Sequence, residues 1–114
     1  MKLMICIFVL SISLLNLVAN EKVKNKSSRW GDNQGAMNWF SAKSKCASLS
    51  MRLPSKLDLE KAYRDTETET WRKDGNWFWA IEEYSELSAY YFDVETGYPD
   101  FTDKTDKMQV RCIR

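Results

Sequence analysis

The sequence predicts an α+β domain in which two helices pack on a small antiparallel sheet and one disulfide closes the fold. Three observations predict this class. Apolar residues recur at helical spacing in the first half, short aromatic segments lie between turn-forming residues in the second half, and two cysteines stand far apart behind an apolar leader. The 114 residues suffice for one such domain and not for two.

The leader has the pattern of a secretory signal peptide. A basic Lys2 precedes a long apolar run, and the small Ala19 follows it. We therefore expect residues 1–20 to be a cleaved signal peptide, with a retained membrane anchor as the alternative because the run approaches the ~20 apolar residues that span a bilayer. Residues 21–29 are polar and charged, which predicts a flexible lead, and the domain is expected to span residues 30–114. The expected location is extracytoplasmic, in the periplasm, at the cell surface or in the medium.

The charge balance excludes one class of partner. The chain carries 17 basic and 16 acidic residues. Without the predicted signal peptide, which contains Lys2 and no acidic residue, 16 of each remain and the net charge is zero. Nucleic acid or an anionic membrane would require a basic excess on one surface, so we expect neither as a partner after cleavage.

Two cysteines lie outside the leader, Cys46 and Cys112. An even number of cysteines behind an export signal predicts a disulfide. A loop of this length would disfavour the unfolded chain by roughly 4 kcal/mol. The alternatives, a reactive nucleophile or a metal thiolate, lack partners because the chain has no histidine and two thiols do not complete a zinc site.

The first helix is predicted from spacings of three, four and three between Trp39, Ala42, Cys46 and Leu49, with Asn38 as its N-cap. This face directs Cys46 inward, toward the last strand.

A second helix is predicted to begin at Ser55, with Asp58 completing a capping box. Its buried side is expected to contain Leu57, Leu59, Ala62 and Tyr63. A polar loop over residues 66–70 ends it.

Strands are predicted at residues 76–81, 88–94 and 107–113, with a turn or loop at Gly97, Pro99 and Asp100. Alternation assigns side chains to faces of the sheet. In the first strand Trp77, Trp79 and Ile81 are expected on the core face, opposite Phe78 and Glu82. In the second strand, Tyr90, Phe92 and Val94 are expected on one face of the sheet, and Tyr91 and Asp93 on the other.

Three ordered motifs carry a resemblance to a known family. They are Trp39-x-x-Ala42-x-x-x-Cys46, Arg52-Leu53-Pro54-Ser55 and Val110-Arg111-Cys112-Ile113-Arg114. Leu59, Trp79, Glu83, Tyr84, Ala89, Tyr90, Asp93 and Gly97 match between them. The set resembles the bacterial family known as DUF1566 or the Lcl C-terminal domain, a small relative of the C-type-lectin-like and sulfatase-modifying-factor folds, and it covers about residues 30–114. The resemblance implies a C-type-lectin-like core and adhesion to glycans such as sulfated polysaccharides, or to host or matrix proteins.

Most of these motif positions have a structural interpretation. Arg52 is expected to pair with Glu83 or Asp58 at the junction between helix and sheet. Trp39, Leu53, Pro54, Ser55, Trp79, Gly97 and Arg111 are likewise expected to build the fold.

No motif supports a metal or cofactor. The calcium and sugar motifs of lectins, Glu-Pro-Asn and Trp-Asn-Asp, do not occur. Acidic residues surround Gly97, but lysines are interleaved with them and the spacing of a calcium loop is missing. This favours a solvated loop formed by Asp93, Glu95, Asp100, Asp103 and Asp106.

Aromatic residues supply the candidate ligand surface. Most are expected in the core, because aromatic side chains bury large areas in a small fold. Trp71, Tyr91 and Tyr98 are the candidates for an exposed platform that contacts a sugar ring or a protein.

No catalytic residues are predicted. Histidine is absent, and the adjacent Glu82 and Glu83 are expected on opposite faces of a strand. The sequence thus predicts a secreted, non-catalytic recognition or adhesion module. The alternatives are a structural or assembly protein of the bacterial envelope, or a secreted inhibitor that docks on one enzyme through residues 65–75 or 97–106.

Overall fold

The computed structural model describes residues 29–114. The predicted signal peptide, residues 1–20, lies outside the described residues, as does the predicted lead apart from Arg29. Among the residues described, no helix is long and apolar enough to cross a membrane.

The described chain is an α+β fold with two helices and one five-stranded sheet. In chain order the elements are β1 (Trp30–Met37), α1 (Trp39–Ser48), α2 (Lys56–Arg64), a 3₁₀ helix (Glu67–Trp71), β2 (Trp77–Glu83), β3 (Ser88–Asp93), β4 (Tyr98–Asp103) and β5 (Met108–Ile113). The strand order across the sheet is β1-β5-β2-β3-β4.

The sheet is mixed, which corrects the prediction of a purely antiparallel one. Three of its pairings are antiparallel, but β5 runs parallel to β2. The last strand inserts between β1 and β2, so its direction is fixed by its pairing with β1. The alternation of apolar and polar residues within one strand does not indicate which strands will pair with it.

Two strands were absent from the prediction. β1 contains polar residues and Gly31 and Gly35 in place of an apolar alternation, and its register against β5 shifts twice. β4 includes Pro99 in a segment predicted as a turn or loop. It forms an edge of the sheet, where a residue without an N–H is tolerated.

The helices pack on opposite faces of the sheet. α1 packs mainly against β5, β1 and β2, whereas α2 packs against β3 and β2. Each helix covers a separate apolar cluster. The first consists of Trp39, Ala42, Cys46, Leu53, Trp79, Ala89, Met108, Val110 and Cys112. The second consists of Leu59, Ala62, Trp71, Phe78, Ala80, Phe92 and Val94.

The caps of both helices are as predicted. The Asn38 side chain accepts a hydrogen bond from the Ser41 N–H, at 2.9 Å. Ser55 and Asp58 form the reciprocal capping box. The buried side of α2 is narrower than expected, because only Leu59 and Ala62 are buried while Leu57 and Tyr63 are exposed.

The Arg52-Leu53-Pro54-Ser55 segment joins the helices to the sheet. Arg52 pairs with Ile113 through two backbone hydrogen bonds, and Pro54 O accepts one from the Ile81 N–H. The Arg52 guanidinium lies 2.8 Å from Asp58, one of its two predicted partners. Burial alone would raise the pKa of Asp58, but the hydrogen bonds from Arg52 and Ser55 and the Arg52 charge lower it below its ordinary value.

The predicted disulfide between Cys46 and Cys112 is confirmed. It joins α1 to β5 within the first apolar cluster, where both residues are buried.

Arg111 also has the expected structural environment. Its guanidinium donates to Gly31 O at 3.1 Å, approaches Asp74 at 3.6 Å and lies over the Trp71 ring. Burial lowers its pKa despite the nearby carboxylates of Asp74 and Asp32.

Candidate functional site

One part of the sheet carries aromatic side chains and carboxylates that neither helix buries. It lies on the same side of the sheet as α1. Its residues belong to β3, β4 and the start of β2, next to the part of the sheet on which α1 packs. We call the surface formed by Trp77, Tyr91, Asp93, Tyr98 and Asp100 the open face.

The strand register brings these residues together. Trp77 is paired with Asp93, which is paired in turn with Tyr98, so the three form one row across the sheet. In the adjacent row Tyr91 is paired with Asp100. Because residues two apart on a strand share a face, aromatic and acidic side chains alternate across both rows.

The aromatic members of the open face differ in exposure. Tyr98 is 72% exposed and Trp77 is 50% exposed, whereas Tyr91 is half-buried between them. The rings of Trp77 and Tyr91 meet edge to face, with centroids 6.1 Å apart. Large exposed rings on a surface without a covering element are typical of a contact site.

Hydrogen bonds from nearby N–H groups orient both carboxylates. One oxygen of Asp93 accepts from the N–H groups of Glu95 and Thr96, and the other accepts from the Trp77 indole at 3.3 Å. Asp100 accepts from the N–H of the next residue, Phe101, at 2.8 Å. Hydrogen bonds from neutral N–H groups therefore orient both carboxylates, and within residues 29–114 neither one forms an ion pair.

The environment raises the pKa of the Tyr91 hydroxyl. Burial is the main cause, followed by the negative charges of Asp100 and Asp93. Tyr91 therefore lies close enough to both carboxylates for their charges to act on its hydroxyl.

The structure brings together two of the three predicted ligand residues and excludes the third. Tyr91 and Tyr98 share the open face, but Trp71 is only 3% exposed. The prediction that Trp71 belongs to an exposed platform is wrong. Trp71 ends the 3₁₀ helix, and its ring packs against Trp30, Phe78 and Arg111 on the other side of the sheet.

Trp77 is the aromatic member of the open face that was not predicted as a ligand residue, and Asp93 and Asp100 were predicted only as part of a solvated loop. Alternation placed it correctly on the face of Trp79, but the expectation that it belongs to the core is wrong. α1 covers Trp79 and does not extend over Trp77. Gly75 and Asn76 directly precede Trp77 and place it at the first position of β2. This position was the signal in the sequence for its exposure. A small cleft of about 90 Å³ lies beside the ring, with Lys107 at its rim.

A second exposed aromatic cluster lies on the opposite face of the same edge. Tyr84 and Phe101 stack with their centroids 3.7 Å apart, and Tyr90 meets both rings edge to face. Lys56 Nζ lies 3.6 Å from the centre of the Tyr90 ring. These rings pack on one another and on Lys56, and no carboxylate lies between them as Asp93 does between Trp77 and Tyr98 in the strand register.

Two larger clefts, of about 500 and 510 Å³, have no residue of the open face in their linings. One of about 500 Å³ lies between α2 and the start of β1. Its lining carries charges of both signs, and Lys61 and Asp65 there form an ion pair at 3.0 Å. This arrangement favours no single class of ligand.

The acidic residues near Gly97 act separately. Asp93 orders the turn, Glu95 accepts from Asn76 and Asp103 accepts from Thr105. Within residues 29–114, no three histidine, cysteine or acidic side chains are close enough to hold a metal ion.

The adjacent glutamates contact different elements. Glu82 accepts hydrogen bonds from the Lys56 N–H at 3.0 and 3.2 Å, at the start of α2. Glu83 instead binds the buried Lys104 at 2.5 Å. Both carboxylates stabilise junctions between elements.

Neither segment suggested for an inhibitor is an extended loop. Residues 65–75 contain the 3₁₀ helix with buried Thr68 and Trp71, and residues 97–106 are largely β4.

In comparisons with known proteins, no family model matches the chain and no curated protein is significantly similar to it.

Proposed function

We propose that this protein is a secreted, non-catalytic recognition module that binds a glycan through the open face. The observation that carries the proposal is the pairing of exposed rings with oriented carboxylates in the rows Trp77-Asp93-Tyr98 and Tyr91-Asp100. A ring face packs against the C–H groups of a sugar, while carboxylate oxygens accept hydrogen bonds from its hydroxyls.

The shape of the surface supports a polymeric ligand. The open face lies on strands at the edge of the sheet and is not enclosed by a helix. A flat surface can contact several units of a polysaccharide, whereas a buried small molecule requires a concave pocket.

The finer assignment of fold and location is part of the same proposal. The order of the three motifs and the disulfide from α1 to β5 support a C-type-lectin-like domain of the DUF1566 type. The predicted signal peptide and the disulfide together support an oxidising, extracytoplasmic location. Adhesion at the bacterial surface is the role that we propose on this basis.

The test is binding of the oxidised protein to a panel of glycans, measured with calcium and again with a chelator. Tyr98→Ala and Trp77→Ala should each weaken the best interaction by about tenfold, or ~1.4 kcal/mol, because each removes an exposed ring at the contact. Tyr84→Ala is the matched control, since it removes a similarly exposed ring from the opposite face. Thermal melting of each variant establishes that it is folded.

Two results would contradict the proposal. Equal losses in Tyr84→Ala and Tyr98→Ala would show that the open face is not the site. Absence of binding to every glycan would favour a protein partner or an assembly role.

A further inference from the structure

We infer that the glycan selected by the open face is cationic, a polymer of amino sugars with free ammonium groups. This inference rests on the proposed function and adds the chemical class of the ligand. Three rings and two carboxylates that form no ion pair with a described basic residue are complementary to an organic ammonium group.

The carboxylates carry uncompensated charge. Among the described residues, no lysine or arginine nitrogen lies within 4 Å of Asp93 or Asp100, although four other acidic residues of this part of the chain form such pairs. The hydrogen bonds that Asp93 and Asp100 accept come from neutral N–H groups.

The basic residues of the neighbouring elements are committed elsewhere. Lys104 is buried and binds Glu83, Lys56 lies over Tyr90 on the opposite face, and Arg111 stacks on Trp71. Lys107 is the exception, because it lines the cleft beside Trp77, but among the described residues it forms no ion pair with Asp93 or Asp100. Glu95 adds a further negative charge near the β3–β4 turn.

The rings favour the same class of ligand. An ammonium group over an aromatic face is attracted by the electrons of the ring, and the attraction increases when carboxylates stand beside it. Trp77, Tyr91 and Tyr98 surround Asp93 in the strand register, so a cation could contact a ring and a carboxylate together. A sulfated polysaccharide would instead bring negative charge toward Asp93 and Asp100, which disfavours the polyanion that the sequence resemblance suggested.

The experiment compares two probes with the same backbone. Glucosamine oligomers carry free ammonium groups, and N-acetylglucosamine oligomers of equal length carry neutral amides. We expect the oxidised full chain to bind the glucosamine oligomer at least about fivefold more tightly at low salt, with the preference decreasing as salt rises. Heparin should not bind.

Asp100→Asn isolates the charge, since it keeps the shape of the side chain. It should reduce the preference for the glucosamine oligomer by about two- to fivefold, because it weakens binding of the charged oligomer more than binding of the acetylated one. Glu60→Gln is the matched control, because it removes the same charge from an exposed position on α2. Its preference should equal that of the wild type.

The outcomes separate this inference from the proposed function. Binding of both oligomers with equal affinity, lost in Tyr98→Ala, would support glycan recognition and overturn the cationic ligand. Tight binding of heparin, or of a lysine-rich peptide with neither oligomer bound, would also overturn it. A preference that is unchanged in Asp100→Asn would overturn the assignment of ammonium recognition to the open face.

Discussion

Gly97 is the residue on which the geometry of the open face depends most directly. It adopts φ +81°, and its N–H donates to Asp93 O at 2.8 Å to close the β3–β4 turn. A Cβ at this position would overlap the ring of Tyr63. Both the backbone conformation and the space therefore require glycine.

Gly97→Ala should lower the free energy of unfolding by more than about 1 kcal/mol, because backbone strain and displacement of the Tyr63 ring act together. Urea denaturation measures the loss. Gly35→Ala is the control, since Gly35 has φ +94° but no atom within 4 Å of the added Cβ. Equal losses in the two variants would contradict a contribution from Tyr63.

The helix caps could be predicted from the sequence, whereas the burial of individual aromatic side chains could not. Asn38, Ser55 and Asp58 act on groups three residues away, so their roles depend only on the adjacent chain. The burial of Trp71 depends on side chains from other parts of the chain that surround its ring. The exposure of Trp77 depends on how far α1 extends over the sheet.

Among the elements, a buried lysine joins α1 to the β2–β3 hairpin. Lys104 is 3% exposed, and its Nζ binds Glu83 at 2.5 Å and Glu86 O at 2.6 Å while lying 4.8 Å from the centre of the Trp39 ring. The hydrogen bond and charge of Lys104 lower the pKa of Glu83 below its ordinary value of 4.5.

A lowered pKa means that the unfolded chain binds the proton more tightly, so the pair stabilises the fold above pH 4.5. This contribution is lost as the pH falls below 4.5 and through the pKa of Glu83 in the folded state. Glu83→Gln should therefore melt at a lower temperature than the wild type at pH 7, and the difference should decrease as acid protonates Glu83 in the wild type. Melting curves from pH 7 to pH 3 measure it.

Glu60→Gln serves again as the control and should follow the wild type at every pH. The pKa of Asp103 is also lowered, by hydrogen bonds from the Thr105 N–H and hydroxyl, and this contribution persists in both variants. A constant difference between Glu83→Gln and the wild type across the range would contradict the assigned role of the Lys104 pair.

The helices and strands with a regular apolar pattern could be predicted from the sequence. The strands that form only because they pair with a neighbouring strand could not. The helices and the strands β2, β3 and β5 have clear periodicity. β1 is polar and irregular, and it is a strand because it pairs with β5. β4 can contain Pro99 because this strand lies at an edge of the sheet. The sequence of β4 alone does not indicate that it is an edge strand.

Over the whole molecule, the open face and the disulfide occupy different parts of the fold. Tyr91 and Tyr98 could be proposed from the sequence as ligand residues, but their association with Asp93 and Asp100 results from strand register. The disulfide could be predicted because an even number of cysteines behind an apolar leader suffices for the prediction. It lies between α1 and β5, whereas the open face lies mainly on β3 and β4.

This separation predicts that loss of the disulfide changes stability without changing recognition. Cys46 and Cys112 are 66 residues apart, so the bridge restricts most of the unfolded domain and should contribute about 4 kcal/mol. The Cys46→Ala, Cys112→Ala double variant should lose about this free energy of unfolding in urea, and the reduced wild type should show a similar loss.

The fraction of the double variant that remains folded should bind the best glycan with the affinity of the oxidised wild type, because its β3–β4 register is unchanged. Binding measured under conditions in which melting shows the variant to be folded tests this. A loss of affinity in the folded variant would show that the first apolar cluster, through Trp79 and Ala89, also positions the open face.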